Sequence, residues 1–485
     1  MTLHTPEMVD MRTKFGNAHV KFWQSTDRAK LISDLVRANV KGRADELLGC
    51  WAKLLGGNAG ILHSFSAQQV LTYLEELHDL RCKYLPLLVQ EQLANTENLF
   101  MGTVDENIFA RLYGAIIPYA TVNEPIVIPG NLDYGFLLLR GTIFSHLLRV
   151  DQNVMSEGLH AASASFQSGL AVFGTKIGGA GLYLNGTRNS ARLTLHDCTI
   201  SSVNLGSSDF NGIEIVDTVI QQGADFRSSK ASFFFVTGSV FQGETRFQKA
   251  EFSGRTTISA RFFKFPEFFD SKLSDETRVE GIDYDPKQSL KSLAKVDGRK
   301  ILEGDLLAIR HLRIHAQHKR WLREEVKFFA EEQRVERKLL TLPSRSIEFA
   351  ISWIYDKASG YGASVTAAVS AFVLFNLAAC LLFHALLSLG TVDLPAPFAG
   401  YRIGLLSDSI QVENVSFSSY RGVVLGLQNV FNPLALFSGK SLVTVHSPCA
   451  LSISLFQIVG SLALLALLIL AIKTRFQRGS GGGSM

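Results

Sequence analysis

Polar side chains that interrupt apolar sequence near the C-terminal end of the chain are the residues best placed to do chemistry. Asn376 and His384 lie eight residues apart in one uncharged run, and Gln457 lies in another. Polar groups are costly in lipid, so such residues face a protein interior or an aqueous path. We predict that they line a pore; simple hydrogen bonding between helices is the alternative. The other pore-lining candidates come from the stretch between the two runs and are Gln428, Asn429 and Asn432.

The two uncharged runs are each long enough to cross a bilayer. They extend from about residue 364 to 389 and from about residue 451 to 472, and a span needs roughly 20 apolar residues. Between them, the stretch 420–437 reaches Pro433 after only about twelve residues, which is too short to cross. We therefore predict two transmembrane helices with a short re-entrant or interfacial helix, a pore-helix candidate, between them. No TVGYG-type filter is present, so the sequence does not support potassium selectivity.

The distribution of charge predicts the orientation of these spans. Lysine and arginine crowd before the first span and directly after the second, in KTRFQR, whereas the 390–450 loop has few. The positive-inside rule then places both termini in the cytoplasm. The opening MTLHTPEMVDMRTKFG has no apolar core, so no signal peptide is predicted. Trp353, Tyr355 and Tyr361, just before the first span, are of the type that sits at a bilayer interface.

The overall composition fits a multidomain membrane protein. A chain of 485 residues is too long for one core, and its mean hydropathy is positive with 47% hydrophobic residues. A net charge of +4 does not by itself imply a nucleic-acid partner. The five cysteines are scattered without CxxC or Cys/His pairing, which argues against a disulfide framework or a zinc site and suits a reducing compartment.

A strict period of five residues runs from Leu193 to Phe226. Such a period is neither the 3.6 of a helix nor the 2 of an ordinary strand, and it predicts a solenoid whose short units bury their apolar sides against one another. The residues 185–191 and the blurred register of 227–238 predict bulges or a kink. The predicted inward-facing residues of the repeat are Leu195, Ile200, Leu205, Phe210, Ile215, Ile220, Phe226, Phe241, Phe247 and Phe252.

This stretch resembles pentapeptide-repeat sequence over about residues 126–273. The segments ISSVNLGSSDFNG and GADFRSSKA carry the resemblance. The best-matching units are Val203-Asn204-Leu205, Ser208-Asp209-Phe210 and Ala224-Asp225-Phe226. The resemblance implies a right-handed quadrilateral β-helix with four five-residue sides per coil. Residues 300–478 also resemble a bacterial group in which such repeats precede a two-span, pore-loop-channel-like domain. The segments that carry this second resemblance are EEVKFFAEEQRVER, YDKASGYGASV, LGLQNVFNPLALFS and LALLILAIKTRFQR.

The predicted fold class is therefore multidomain α + β. Residues 1–125 form an N-terminal helical cap or interaction domain, and residues 126–280 form the β-helix. Residues 281–345 form a charged, basic helical linker that couples it to the membrane domain of residues 346–478. Fifteen lysine and arginine residues stand against eight acidic residues between positions 287 and 345. Residues 479–485 are a Gly/Ser linker of the kind added for expression.

Other candidate groups favour structural roles. His311, His315 and His318 lie on one helix face, but their lysine- and arginine-rich setting favours a solvated or headgroup-facing surface over a metal site. The run Gly178–Gly181 lies inside the repeat, which favours a β-helix turn over a phosphate loop. No motif frames a nucleophile. We predict neither an enzyme nor a cofactor or metal.

The leading functional hypothesis is a homo-oligomeric bacterial inner-membrane ion channel. Its partners would be lipid, ions, other copies of the chain, which a pore with two spans per chain requires, and a cytoplasmic protein on the solenoid. The solenoid would serve as a cytoplasmic sensor or assembly domain. The alternative is a membrane-anchored scaffold or receptor that does not conduct. The DNA mimicry that the resemblance to soluble pentapeptide-repeat proteins implies is disfavoured by the positive charge, and no nucleic acid is predicted as a partner.

Overall fold

The computed structural model of the chain describes most of the sequence and divides it into two compact units, Met1–His311 and Leu312–Met485. The predicted fold class is confirmed: an N-terminal helical region, a parallel β-solenoid, a helical linker and two apolar helices follow one another. The described residues are 5–24, 26, 28–56, 63–98, 112–130, 133–284, 298–340, 346–362, 364–388, 410–412, 421–431, 443–445 and 448–479.

Helices dominate both ends of the described chain. The longest N-terminal helix, α4, has non-helical backbone angles at Tyr84, two residues before Pro86. The helices are α1 (Pro6–Trp23), α2 (Ala29–Val40), α3 (Ala44–Gly56), α4 (Ala67–Asn98), α5 (Gly298–His318), α6 (Leu322–Leu339), α7 (Ser346–Ser359), α8 (Val365–Ser388), α9 (Arg421–Phe431) and α10 (Pro448–Gly479).

Short strands form the middle of the chain. Sheet pairing is parallel throughout the solenoid, and among the described strands only β24 and β25 pair antiparallel. The strands are β1 (His63–Phe65), β2 (Ala115–Ile116), β3 (Ala120–Val122), β4 (Ile126–Ile128), β5 (Phe136–Leu138), β6 (Ile143–Phe144), β7 (Leu148–Asp151), β8 (Val154–Met155), β9 (Gly158–His160), β10 (Ser165–Phe166), β11 (Leu170–Phe173), β12 (Lys176–Ile177), β13 (Leu182–Tyr183), β14 (Ser190–His196), β15 (Thr199–Asn204), β16 (Asp209–Val216), β17 (Val219–Asp225), β18 (Lys230–Phe241), β19 (Glu244–Arg246), β20 (Glu251–Phe252), β21 (Thr256–Phe262), β22 (Lys272–Leu273), β23 (Arg278–Tyr284), β24 (Ile410–Val412) and β25 (Val443–Val445).

The solenoid makes about eight turns between residues 115 and 284. Residues in the strands pair with the residues that lie one full turn later in the chain. Leu148, for example, pairs with Leu170, and Leu170 pairs with Leu193. The solenoid begins earlier than the repeat pattern indicates, because Ala115 already pairs with Leu137. One turn takes 22 residues, from Ala115 to Leu137, so the part before residue 126 is too short to show a period in the sequence.

The interior of the solenoid is filled by its own side chains. Phe247 stacks on Phe226 and Phe268, with ring centroids 4.8 and 4.6 Å apart. Such aromatic stacks add to the stability that apolar burial provides. The following inward residues are at most 1% exposed: Leu195, Ile200, Leu205, Phe210, Ile215, Ile220, Phe226, Phe241, Phe247 and Phe252.

The blurred register of residues 227–238 corresponds to a bulge inside the longest strand. Strand β18 runs without a break from Lys230 to Phe241, and its pairing with β21 shifts between Thr237 and Ser239. Gly238 lies at this shift with φ +65°, and a Cβ there would be 2.0 Å from Asp217 Oδ1. Glycine adopts this conformation without strain, so one extra residue is absorbed and the apolar alternation continues.

The N-terminal helices pack on the first solenoid turn and add a strand to it. Strand β1 pairs with β3, and the fully buried Trp23 donates its indole N–H to the Ile116 carbonyl at 3.0 Å. His19 lies beside it, with Nδ1 2.6 Å from the Tyr73 hydroxyl and Nε2 2.7 Å from the Leu112 carbonyl. Since the carbonyl can only accept, Nε2 carries the proton and Nδ1 accepts from Tyr73. The imidazole is therefore buried in its neutral form.

Acid is expected to destabilise this cap through His19. Burial lowers the pKa of His19 from 6.5 to about 4, so the unfolded chain takes up a proton first as the pH falls. The free energy of unfolding should therefore fall between pH 6.5 and about 4, and urea titrations across this range measure it. His19→Gln, which keeps one donor and one acceptor, should flatten this loss even if it lowers stability overall. An unchanged pH slope in that variant would contradict the assignment.

A second buried titratable group gives the matching control, because its effect has the opposite sign. Asp305 on α5 accepts hydrogen bonds from the Phe265 backbone N–H at 3.0 Å and from the Tyr284 hydroxyl at 2.6 Å. Burial raises the pKa of Asp305 from 3.8 to about 6. The folded chain therefore gains stability as the pH falls through 6 toward 3.8. Asp305→Asn removes this gain. The free energy of unfolding should then fall more steeply with falling pH than it does in the parent protein, where Asp305 offsets part of the loss that His19 causes.

Candidate functional site

Two helices of the second unit are long and apolar enough to cross a membrane. The qualifying segments are Val365–Ala385 in α8, with 21 residues, and Ser452–Lys473 in α10, with 22 residues. Only 17% and 22% of the most apolar stretch of each helix is buried within the chain. A core helix of a soluble protein, by contrast, is mostly buried. Their outward faces carry large apolar side chains: Val369, Val373, Leu374, Leu377, Leu381, Leu382, Leu455, Phe456, Val459, Leu462, Leu465, Ile469 and Leu470.

The short helix α9 packs against both of these helices. Its 11 residues are too few to cross a bilayer. Gly426 allows its close approach to α8, because a Cβ there would lie 2.4 Å from Cys380 Sγ and 3.1 Å from Cys380 Cα. Leu427 and Phe431 point outward and are exposed. One face of α9 is therefore held between the two apolar helices and the other is free.

A buried cluster of polar side chains joins the three helices, with Gln457 of α10 at its centre. Gln457 Oε1 accepts from Asn429 Nδ2 of α9 at 2.9 Å. Gln457 Nε2 donates to Asn376 Oδ1 of α8 at 3.2 Å and to the Gly426 carbonyl of α9 at 3.0 Å. Ser461, one turn further along α10, also donates to Asn376 Oδ1, at 2.7 Å. We call these residues, Asn376, Asn429, Gln457 and Ser461, the polar cluster.

The polar cluster is nearly closed to its surroundings. Asn376 is 7% exposed, and Asn429 and Gln457 are each 1% exposed. Asn376 Nδ2 donates to the Phe372 carbonyl of its own helix at 2.9 Å. Hydrogen bonds between apolar helices in lipid contribute roughly 0.6–2 kcal/mol each. The cluster can therefore fix how α9 sits on α8 and α10.

The six pore-lining candidates separate into distinct positions. Asn376, Asn429 and Gln457 come together in the polar cluster, and Gln428 lies next to it on α9 and is also buried. His384 is exposed near the C-terminal end of α8. Asn432 lies outside the described residues.

Sequence reasoning missed one member of the cluster, Ser461. Its signal was present, because Ser461 follows Gln457 by four residues and therefore lies on the same face of α10. Ser454, three residues before Gln457, lies on that face too and is fully buried. The Gly426 carbonyl could not have been foreseen, since a backbone acceptor leaves no trace in the sequence.

A second group of polar side chains lies just before the first apolar helix. We call its members, Arg334, Arg337, Ser352, Asp356 and Tyr361, the elbow. Asp356 on α7 binds Arg337 Nη2 at 2.8 Å and Arg334 Nε at 3.0 Å, both on α6. Burial alone would raise the pKa of Asp356, but the hydrogen bonds and charges of the two arginines hold it below its usual value. The buried Tyr361 hydroxyl lies 2.6 Å from Ser352 Oγ and 3.3 Å from Arg337 Nη1. The elbow therefore fixes α7 against α6.

An open groove of about 800 Å³ lies on one face of the solenoid. His160, Tyr183 and Asn204 follow one another along it in successive turns, and each pairs with the next in the sheet. Beyond them, Asp225 is bound by Arg227 at 2.6 Å, and Glu244 is bound by Arg246 at the same distance. The carboxylates at this end of the groove are therefore neutralised by neighbouring arginines. The rest of the groove presents polar and aromatic side chains.

Comparisons with known proteins give no information about the function of the chain, so any functional proposal depends on the geometry of these residues. No family model matches the chain, and neither curated proteins nor solved structures show a significant similarity to it. Within the described residues, no group of three or more His, Cys, Asp or Glu side chains is placed to hold a metal ion. His311 instead lies against the Phe269 ring, with centroids 4.4 Å apart.

Proposed function

We propose that the chain is a subunit of a homo-oligomeric bacterial membrane ion channel with a cytoplasmic pentapeptide-repeat solenoid as sensor or assembly domain. The observation that carries the proposal is the placement of α9, a helix too short to span, between two helices that are long enough to span. Irregular backbone at membrane depth requires surrounding protein or an aqueous cavity. A helix that is too short to span has ends within the membrane, and α9 would meet that requirement best beside a pore.

The polar cluster would act as the joint that holds α9 in place, rather than as the lining itself. Asn376, Asn429 and Gln457 are linked by hydrogen bonds through Gln457. Gln428, the neighbouring amide on α9, is the residue proposed to contact ions in the assembled pore. Since two spans cannot enclose a lumen, several copies would surround it. The outward apolar faces of α8 and α10 would then contact lipid and neighbouring copies.

Conductance in planar bilayers tests the channel proposal. The purified full-length protein should give discrete current steps, and Gln428→Ala should change the single-channel conductance or the reversal potential, because polar groups along a pore replace part of the hydration of an ion. Leu427→Ala is the matched control, since the neighbouring residue is exposed on the outer face and should leave both values unchanged. Silent bilayers with demonstrably inserted protein, together with a monomer in detergent, would overturn the proposal.

The second candidate function is a membrane-anchored scaffold or receptor without conduction. It is favoured by the closure of the polar cluster, whose members are buried and bound to one another within one chain. In that case α8 and α10 only tether the solenoid, and its outer faces bind a cytoplasmic partner. An inserted oligomer that never conducts, and whose Gln428→Ala variant behaves like the parent protein, would favour this candidate.

A further inference from the structure

Helix α7 carries an apolar stripe that the described residues of its own unit leave exposed. Ile351, Trp353 and Ile354 are 63%, 49% and 54% exposed. The opposite side of the helix is held by the elbow, where Asp356 binds α6. Large exposed apolar side chains grouped on one face mark a surface that meets something apolar. The stripe is therefore available for contact, while the polar face is already occupied.

The turn between α7 and α8 sets the direction of α7, and with it the stripe, relative to the first span. Gly360, Tyr361 and Gly362 all have positive φ values of 56°, 56° and 81°, so the helix cannot simply continue into the span. Gly362 donates its N–H to Ser359 Oγ at 3.1 Å, and Tyr361 is anchored in the elbow. The turn that separates α7 from the first span is therefore built into the structure by local hydrogen bonds.

We propose that α7 is an interfacial helix whose stripe of Ile351, Trp353 and Ile354 lies at the headgroup–acyl boundary of the bilayer. This inference rests on the proposed membrane location of the chain. Tryptophan is enriched at this depth because its ring is apolar and its N–H needs a polar partner. The exposed Lys357 follows Trp353 by four residues and would reach phosphate headgroups on the same face.

Two observations favour the bilayer over a second copy of the chain as the occupant. The stripe lies just before the first span in the chain, because the span begins at Val365, six residues after α7 ends. Three side chains are also too few for a stable protein interface, which buries about 1,200–2,000 Å² in total. A lipid boundary needs no such area, because the apolar face of an amphipathic helix only has to be immersed by about 5–10 Å.

Tryptophan quenching in liposomes tests this placement. The full-length protein is reconstituted in phosphatidylcholine–phosphatidylglycerol vesicles whose lipids carry bromine either near the headgroup or deep in the acyl chains. The part of the quenching that is lost in Trp353→Phe reports the depth of this ring. We expect that part to be large with the shallow bromines and small with the deep ones. Trp321→Phe is the matched control and should keep the quenching of the parent protein.

A second probe separates failure of this inference from failure of the membrane assignment. Phe456 is exposed on α10, and the added tryptophan in Phe456→Trp should be quenched by the deep bromines. If it is quenched while Trp353 is not, the interfacial helix is wrong and the span stands. If neither is quenched, the membrane location fails as well. Disulfide formation between copies of Trp353→Cys, without quenching of Trp353, would show that a second copy covers the stripe and would also overturn the inference.

The elbow provides a further variant that does not alter the stripe itself. Asp356→Asn removes the charge that holds α7 against Arg334 and Arg337. The quenching of Trp353 should then lose its preference for the shallow bromines, because the helix is no longer held at one depth. A preference unchanged from the parent protein would show that the elbow does not position α7.

Discussion

Replacing Phe234 by alanine is expected to lower the free energy of unfolding of the solenoid by about 3–5 kcal/mol. Phe234 is fully buried and stacks on Phe252 with ring centroids 4.5 Å apart. Its edge contacts Phe226 and Phe247, each at 5.5 Å. Alanine would leave a cavity that the stacked turns cannot close without breaking their pairing. Urea unfolding followed by far-ultraviolet circular dichroism measures the loss.

The adjacent residue supplies the matched control for this prediction. Phe235 has the same chemistry and lies on the same strand, but it points outward and is only half-buried. Phe235→Ala should therefore cost about 1 kcal/mol or less. Equal losses for the two variants would mean that the alternation along β18 is not as the structure has it.

Replacing Gln457 by leucine is expected to loosen α10 from both α8 and α9. The substitution removes three hydrogen bonds at once and leaves Asn429 Nδ2 buried without its acceptor. Asn376 keeps its bonds to Ser461 and to the Phe372 carbonyl. Leaving a buried polar group unsatisfied costs about 1–3 kcal/mol. We expect a loss of that size in the stability of the membrane unit in detergent, measured by thermal unfolding. If the protein conducts, its current should be lost or become irregular.

A combined variant tests whether the polar cluster acts as a unit. When all partners in a hydrogen-bonded set are replaced by apolar groups, the penalty for unmet groups disappears. The quadruple variant Asn376→Leu, Asn429→Leu, Gln457→Leu and Ser461→Ala should therefore be more stable than the sum of the single losses predicts. Val459→Leu, on the exposed side of α10, is the control and should change little. Strict additivity would contradict the network.

The solenoid illustrates what local sequence can determine. A period of five with apolar centres leaves few ways to bury those centres other than stacked parallel turns. The inward residues from Leu195 to Phe252 could therefore be named from spacing alone. The extra residue at Gly238 blurred the pattern, since a bulge changes the count along the sequence without changing which side chains face inward.

The apolar helices illustrate the same point for length and composition. Two uncharged runs were enough to identify α8 and α10, because the thickness of a bilayer sets the length of a span. The short helix α9 could also be recognised, since a proline follows shortly after its apolar run. All three of these features depend on properties of contiguous residues.

Only the tertiary structure decided which polar residues meet. Asn376, Asn429 and Gln457 are as much as 81 residues apart in sequence, and their contact depends on how three helices pack at Gly426. The sequence predicted all the polar candidates to line a pore. The structure instead separates the buried polar cluster from Gln428 beside it and from the exposed His384. Similarly, Trp353 and Tyr361 had the same predicted place at the interface, yet one is exposed and the other is buried in the elbow. Hydrogen bonds between distant residues depend on three-dimensional position, which residue type and local spacing do not encode.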